Sequence, residues 1–149
     1  MDDLLGGGRR GAGGTAGRVR LRALVVEGDS GTLGLCRRVL EAEGYAVDGS
    51  DSGVEALKLA LKTVPSVIFL DLNLRDVLGL QFLEWLRSNP ALHAVPVIGI
   101  AVLGGDASRL LDGGVKAVLN KPLTATAIKH ALHEALRGRG DRGAANRAD

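Results

Sequence analysis

The chain is poor in several residues that decide function classes. It has one cysteine in 149 residues, Cys36, so it can form no internal disulfide and no cysteine-based zinc site. No apolar run approaches the roughly 18 residues that span a bilayer. The N-terminal MDDLLGGGRR has no apolar stretch of the kind a signal peptide needs. Nor does a glycine-rich phosphate loop follow the first apolar run. Glu27-Gly28-Asp29-Ser30-Gly31 fits neither the P-loop nor the dinucleotide pattern. These absences point to one cytoplasmic, non-membrane domain of a size that builds a single core. Aromatics are only 3% of the chain, whereas glycine reaches 22 residues, about twice common usage.

The sequence is basic overall, at a formal net charge of +2. The excess sits at the ends. Residues 1–22 carry five arginines against Asp2 and Asp3, and residues 137–149 carry four against Asp141 and Asp149, which leaves residues 23–136 at −3. Ten of the glycines lie in those same ends. Such tails cannot bury enough apolar surface to order, so residues 1–21 and 138–149 are expected to be disordered. Arginine pairs with phosphate, but a solubilising tail is the plainer account, and a nucleic-acid partner is disfavoured.

The body, 22–137, alternates two patterns. Nearly continuous apolar runs occur at Ala23–Val26, Val67–Leu70, Val95–Ile100 and Val115–Leu119, with a shorter one at Tyr45–Val47 that turns polar over Asp48–Asp51. Continuous runs mark strands covered on both faces of a parallel sheet, and the shorter one suits an edge. Between them lie helical stripes: Leu33, Cys36, Val39 and Leu40 behind Ser30 or Thr32 as a cap; Val54, Leu57 and Leu61 behind a Ser52–Glu55 capping box; Leu80, Leu83 and Leu86 ended by Asn89-Pro90; a weak one at Ser108–Leu111; and Ile128, Ala131, Leu132, Ala135 and Leu136 from near Thr124. Five strand–helix repeats predict an α/β fold with a doubly wound parallel sheet.

Ligands of such sheets gather beyond the carboxyl ends of the strands. Glu27 and Asp29 follow the first run, Asp71 the third, and Lys121 the fifth. Converging carboxylates repel unless a cation holds them. Carboxylate nucleophile, divalent cation and ammonium together suit phosphoryl transfer. The plainer alternative is that Asp71 caps a loop and pairs with Lys121 as a salt bridge.

Several segments in order, Leu24-Val25-Val26-Glu27, Val67 through Leu74, Gly79-Leu80, Pro96-Val97-Ile98 and Lys121-Pro122-Leu123, resemble the receiver (CheY-like) domain of bacterial two-component response regulators over about three quarters of the chain. The resemblance implies a flavodoxin-like (βα)5 sheet of order 2-1-3-4-5. It implies Asp71 as phosphoacceptor, Lys121 as the phosphate-contacting lysine in a cis bond to Pro122, and Mg²⁺ held by Glu27, Asp71 and the backbone carbonyl of Asn73. It implies a histidine kinase or phosphotransfer protein as phosphate donor, and a downstream protein met by the face of the fourth helix, fifth strand and fifth helix. Self-phosphorylation is the most enzymatic step it implies.

The sequence departs from that family at several positions, among them Leu78 in place of an acid before Gly79. Gly28 stands where a second metal-binding acid is usual, with Glu27 and Asp29 as candidate substitutes; losing one carboxylate weakens Mg²⁺. Ala101 replaces a hydroxyl residue and Val118 a mobile aromatic, which removes the usual coupling pair. Arg75 replaces a proline and is read as a solvated loop residue, with phosphate or Asp76 as other partners. A phosphorylation-independent pseudo-receiver, acting as a protein-interaction module, is therefore the alternative. Ala101, Leu103, Val115 and Val118 are expected to make the partner face unusually apolar. Cys36 reads as a buried inert thiol, His130 and His133 as solvent-facing, and Trp85 as partly exposed. After Leu136 only 13 residues follow, too few for a helix-turn-helix output domain.

Overall fold

The computed structural model describes residues 21–102 and 111–140. The N-terminal tail up to residue 20, most of the weak fourth helical pattern, Leu103, and residues 141–149 lie outside the described residues. Five strands form one parallel sheet in the order β2-β1-β3-β4-β5. They are β1 (Arg22–Val26), β2 (Ala46–Ser50), β3 (Val67–Asp71), β4 (Val97–Val102) and β5 (Ala117–Lys121). The helices are α1 (Ser30–Ala42), α2 (Gly53–Lys62), α3 (Gly79–Ser88) and α4 (Ala125–Gly140), the last being the fifth helical pattern of the sequence. It runs to Gly140, past the expected boundary at 137.

Side chains alternate across the pleat and divide the core in two. Val25, Phe69, Ile98, Ile100 and Leu119 pack with Cys36 and Leu40 of α1 and Ile128 and Leu132 of α4. Leu24, Val26, Ile68, Leu70 and Val97 pack with Ala56 and Ala60 of α2 and Phe82, Leu83 and Leu86 of α3. Strand β3 is central and buried throughout, which is why its sequence is apolar up to Asp71. Each fully buried Phe or Ile of these layers contributes about 1.5–3 kcal/mol relative to an exposed one.

The structure corrects several boundaries. Strand β2 continues through Asp48, Gly49 and Ser50, which pair with Leu24, Val25 and Val26. Parallel pairing needs only backbone groups, and Asp48 is accommodated by Arg22 of β1 at 2.9 Å. A Cβ on Gly49 would lie 2.8 Å from Leu33 Cδ1, so the polar-looking stretch passes close beneath α1. Strands β4 and β5 begin two residues later than their apolar runs. Val95 and Val115 are buried in the approaches, so apolarity there reports burial and not pairing.

Two helix faces also differ. In α2 the buried residues are Gly53, Ala56 and Ala60, while Val54 and Leu61 are exposed; small residues let this helix lie close to the sheet. In α3 the buried set is Gly79, Phe82, Leu83 and Leu86, with Leu80 exposed. Trp85 is half-buried and packs on Phe82 with ring centroids 6.2 Å apart. The cap of α1 is Asp29, and neither Ser30 nor Thr32. No helix among the described residues is long and apolar enough to cross a membrane.

Candidate functional site

Pleat parity explains which side chains meet. Val25, Phe69 and Leu119 all point into the layer under α1 and α4. Two residues on, Glu27, Asp71 and Lys121 point to that same side at the carboxyl ends of β1, β3 and β5. Glu27 lies one residue beyond β1, and its amide still donates to Ser50 O at 2.9 Å, which keeps the chain extended to that point.

Lys121 joins the two acids. Its Nζ donates to Glu27 Oε2 at 2.8 Å and to Asp71 Oδ2 at 3.4 Å. Glu27 is 1% exposed and Asp71 5%. Glu27 Oε2 also accepts from the Asp29 amide at 3.0 Å, whereas Glu27 Oε1 is buried with no hydrogen-bond partner among the described residues. Burial pushes the Glu27 carboxyl above its ordinary range, more than Lys121 and the Asp29 amide pull it down, and the neighbouring Asp71 pushes it further up. Burial alone would lower Lys121, but Glu27 and Asp71 outweigh it and hold the ammonium above its usual value. The Lys121–Pro122 peptide bond is cis.

Asp71 Oδ1 accepts from the Asn73 amide at 2.9 Å, which folds the chain back directly after β3. Asn73 then bridges to Leu78 in an antiparallel pair, closing the loop before α3.

The other expected site residues fall elsewhere. Asp29 takes the Thr32 amide at 2.8 Å and the Thr32 hydroxyl at 2.7 Å, so its carboxylate caps α1 at the surface. Gly28 adds no oxygen. Arg75 is exposed and pairs with Asp51 at 3.3 Å, while Asp76 binds elsewhere. Ala101 is buried on β4 opposite Asn120, and Val118 is half-buried against the α2/α3 layer. Val115 is buried as well, so Ala101 and Val115 add little to the exposed surface and Val118 adds only part of its side chain; Leu103 lies outside the described residues.

Two side-site expectations agree with the structure. Cys36 is buried and desolvation pushes its thiol to about 12. His130 and His133 face outward, His133 meeting Glu43 at 2.9 Å.

The sequence reading missed Asp76. Its carboxylate accepts from Ser52 Oγ at 2.8 Å, Gly53 N at 2.9 Å and Val54 N at 3.2 Å, capping a helix 22 to 24 residues away. No local spacing signals a cap supplied across that distance.

The oxygen donors at the rim are few. Among the described residues no three His, Cys, Asp or Glu side chains cluster closely enough to hold a metal ion. Two carboxylates remain, Glu27 with its partnerless Oε1 and Asp71. That set fits a magnesium ion that keeps most of its water, since Mg²⁺ is commonly held by only one or two protein carboxylates.

Comparison with known proteins gives the family of the fold. Residues 23–133 match the model of the response regulator receiver domain. The polar-differentiation response regulator DivK of Brucella ovis is 35% identical over 103 residues, covering 68% of this chain and 84% of that protein. DivK of Brucella anthropi is 34% identical over the same length. Among solved structures, a response regulator from Desulfuromonas acetoxidans is 25% identical with a TM-score of 0.70, covering 78% of this chain and 97% of that one. The chemotaxis response regulator CheY4 of Vibrio cholerae, at 21% identity and a TM-score of 0.72, covers 78% and 99% and shares the fold. With five parallel strands in the order 2-1-3-4-5 and a family match across most of its length, this chain belongs to the response regulator receiver domains of two-component signalling.

Proposed function

We propose that the chain is a receiver that accepts a phosphoryl group on Asp71 from a phosphohistidine of a kinase or phosphotransfer protein. One observation carries this reading: Lys121 Nζ lies between Glu27 and Asp71 at the strand ends, where an ammonium can follow charge from the carboxylate to a phosphoryl oxygen. In the transfer an Asp71 carboxylate oxygen forms the new P–O bond, the P–N bond to the donor imidazole breaks, and the imidazole leaves with that electron pair and takes a proton. Lys121 contacts the transferred group and relieves its charge. Glu27, Asp71 and the Asn73 carbonyl would hold Mg²⁺, whose chemistry is to neutralise phosphoryl oxygens. With Gly28 contributing nothing and Asp29 turned to a cap, that ion is held weakly.

The same reading assigns the receiver to residues 22–137, with Gly/Arg tails on either side, and places the protein in the cytoplasm among protein partners. A second reading, a phosphorylation-independent interaction module, rests on the missing oxygen at Gly28 and on Ala101 and Val118, which offer neither hydroxyl nor aromatic ring.

A titration separates the two. Amide NMR spectra are followed as Mg²⁺ and then beryllofluoride are added. Saturable shifts around Asp71 and Lys121, absent in Asp71→Asn, are expected. A flat response up to tens of millimolar Mg²⁺ would rule out the phosphoacceptor and leave the interaction module.

A further inference from the structure

The loop Leu72–Leu78 connects the acceptor strand to α3, and its own helix gives it little support. Leu78 stands at the N-cap of α3 and makes no side-chain cap bond. The acid two residues earlier, Asp76, instead reaches the start of α2. There it accepts from the Ser52 hydroxyl and from the Gly53 and Val54 amides, three donors converging on one carboxylate. Those bonds, the Gly53 amide first and then the Ser52 hydroxyl, hold the carboxyl at about 2, so it is ionised at neutral pH. Two flanking contacts act in the same direction. Arg75 meets Asp51 at 3.3 Å. A Cβ on Gly53 would collide with Val77 Cγ2, so the two segments touch at a distance only glycine permits. The residues at 75–77 are thus docked on 51–54 at three successive positions.

We propose that Asp76 is a positioning residue for the acceptor site, fixing the loop that carries Asn73 against α2 so that Asp71 is held in its reactive geometry. The link is short. The docked residues are separated from Asn73 only by Leu74, which is buried, and the Asn73 amide bonds Asp71 Oδ1 at 2.9 Å. At the far end of the loop the Gly79 amide returns to Leu72 O at 3.1 Å. With both ends tied and its middle held by Asp76, the loop has few alternative conformations. The proposal rests on the phosphoacceptor reading for its consequence, not for its structural half.

The test compares Asp76→Ala with Asp76→Asn, because asparagine caps helices about as well as aspartate. Amide hydrogen exchange is measured by NMR without any phosphodonor. In Asp76→Ala, protection at Asn73 and Gly79 is expected to fall about fivefold, the scale of a lost side-chain cap, while Phe69 and Ile98 keep theirs. Asp76→Asn, which keeps one acceptor oxygen in place of two, restores part of it. Loss confined to Gly53 and Val54 would overturn the proposal, leaving a cap of α2 and nothing more. The rate of labelling by acetyl phosphate with Mg²⁺ is then measured. It is expected to fall by a similar factor in Asp76→Ala and by less in Asp76→Asn; equal rates in all three would also overturn it. If the wild type takes no label, the phosphoacceptor reading fails and the exchange result alone decides the positioning role. Should Asp76→Ala not fold, Asp76→Glu keeps the charge but displaces the oxygens by a methylene, and the same contrast with Asp76→Asn applies.

Discussion

At Gly28 an added Cβ would meet nothing within 4 Å, so the position where an acid is missing is also one with room for it. Gly28→Asp would bring a third carboxylate to a rim that now has Glu27 and Asp71. Affinity for Mg²⁺ should rise by roughly an order of magnitude, since hard cations follow the count of anionic oxygens. Without the metal the same substitution should lower the melting temperature, because Lys121 already serves two carboxylates and a third adds like-charge repulsion. Isothermal titration and thermal unfolding with and without Mg²⁺ read both effects. An unchanged affinity would mean that the new carboxylate, like that of Asp29, turns away from the rim. At this scale the meeting of Glu27, Asp71 and Lys121 was legible in sequence. Glu27, Asp71 and Lys121 each sit at or just past the end of an apolar run, and strand ends converge in a parallel sheet. Asp29 was ambiguous because a carboxylate three residues before Thr32 suits a helix cap as well as a metal, and here it caps α1. Asp76 was invisible because its partners lie 22 to 24 residues away.

Elements reveal a different kind of information. The runs at Ala23–Val26 and Val67–Leu70 gave the strands almost residue for residue, because both faces of those strands are covered. The helix faces were less legible where small residues do the packing. A stripe of large apolar residues was expected to face the sheet in α2, but Gly53, Ala56 and Ala60 do so, since the closest approach is made by the smallest side chains. Gly79 at the start of α3 shows the same constraint more sharply. A Cβ there would lie 2.6 Å from Leu72 Cδ2 and 2.7 Å from Leu72 Cα, and the backbone contact cannot be relieved by a rotamer change. Gly79→Ala should therefore destabilise the fold by about 1–3 kcal/mol, the usual cost of overpacking, although alanine is the better helix former. Urea unfolding measures the difference. A neutral or stabilising result would show that the segment just after Asp71 yields freely, contrary to its tight bonding to Asn73 and Gly79.

For the whole molecule the question is how far an event at Asp71 can travel. A bound group shifts a conformation only through contacts that differ between two states. Asp71, Glu27 and Lys121 face the layer of α1 and α4, while Val118 packs against the layer of α2 and α3. Ala101 follows Ile100, the β4 partner of Asp71, and pairs with Asn120 of β5, so it lies on the route from the acceptor to the last strand, yet its methyl group has no hydroxyl to bond a phosphoryl oxygen. Val118 is β-branched and stiff, with no ring to swing inward. On the phosphoacceptor reading, beryllofluoride should therefore shift amides in the loops after β1, β3 and β5 and leave Lys129, His130 and His133 on the outer side of α4 in place. Adding Ala101→Thr to Gly28→Asp supplies both a tighter metal site and the missing donor, and should extend the shifts along β5 into α4. If the wild-type shifts already reach α4, the molecule couples its rim to that helix by another route, for which the Lys121 ammonium, released from Glu27 toward a phosphoryl oxygen, is the first group to substitute.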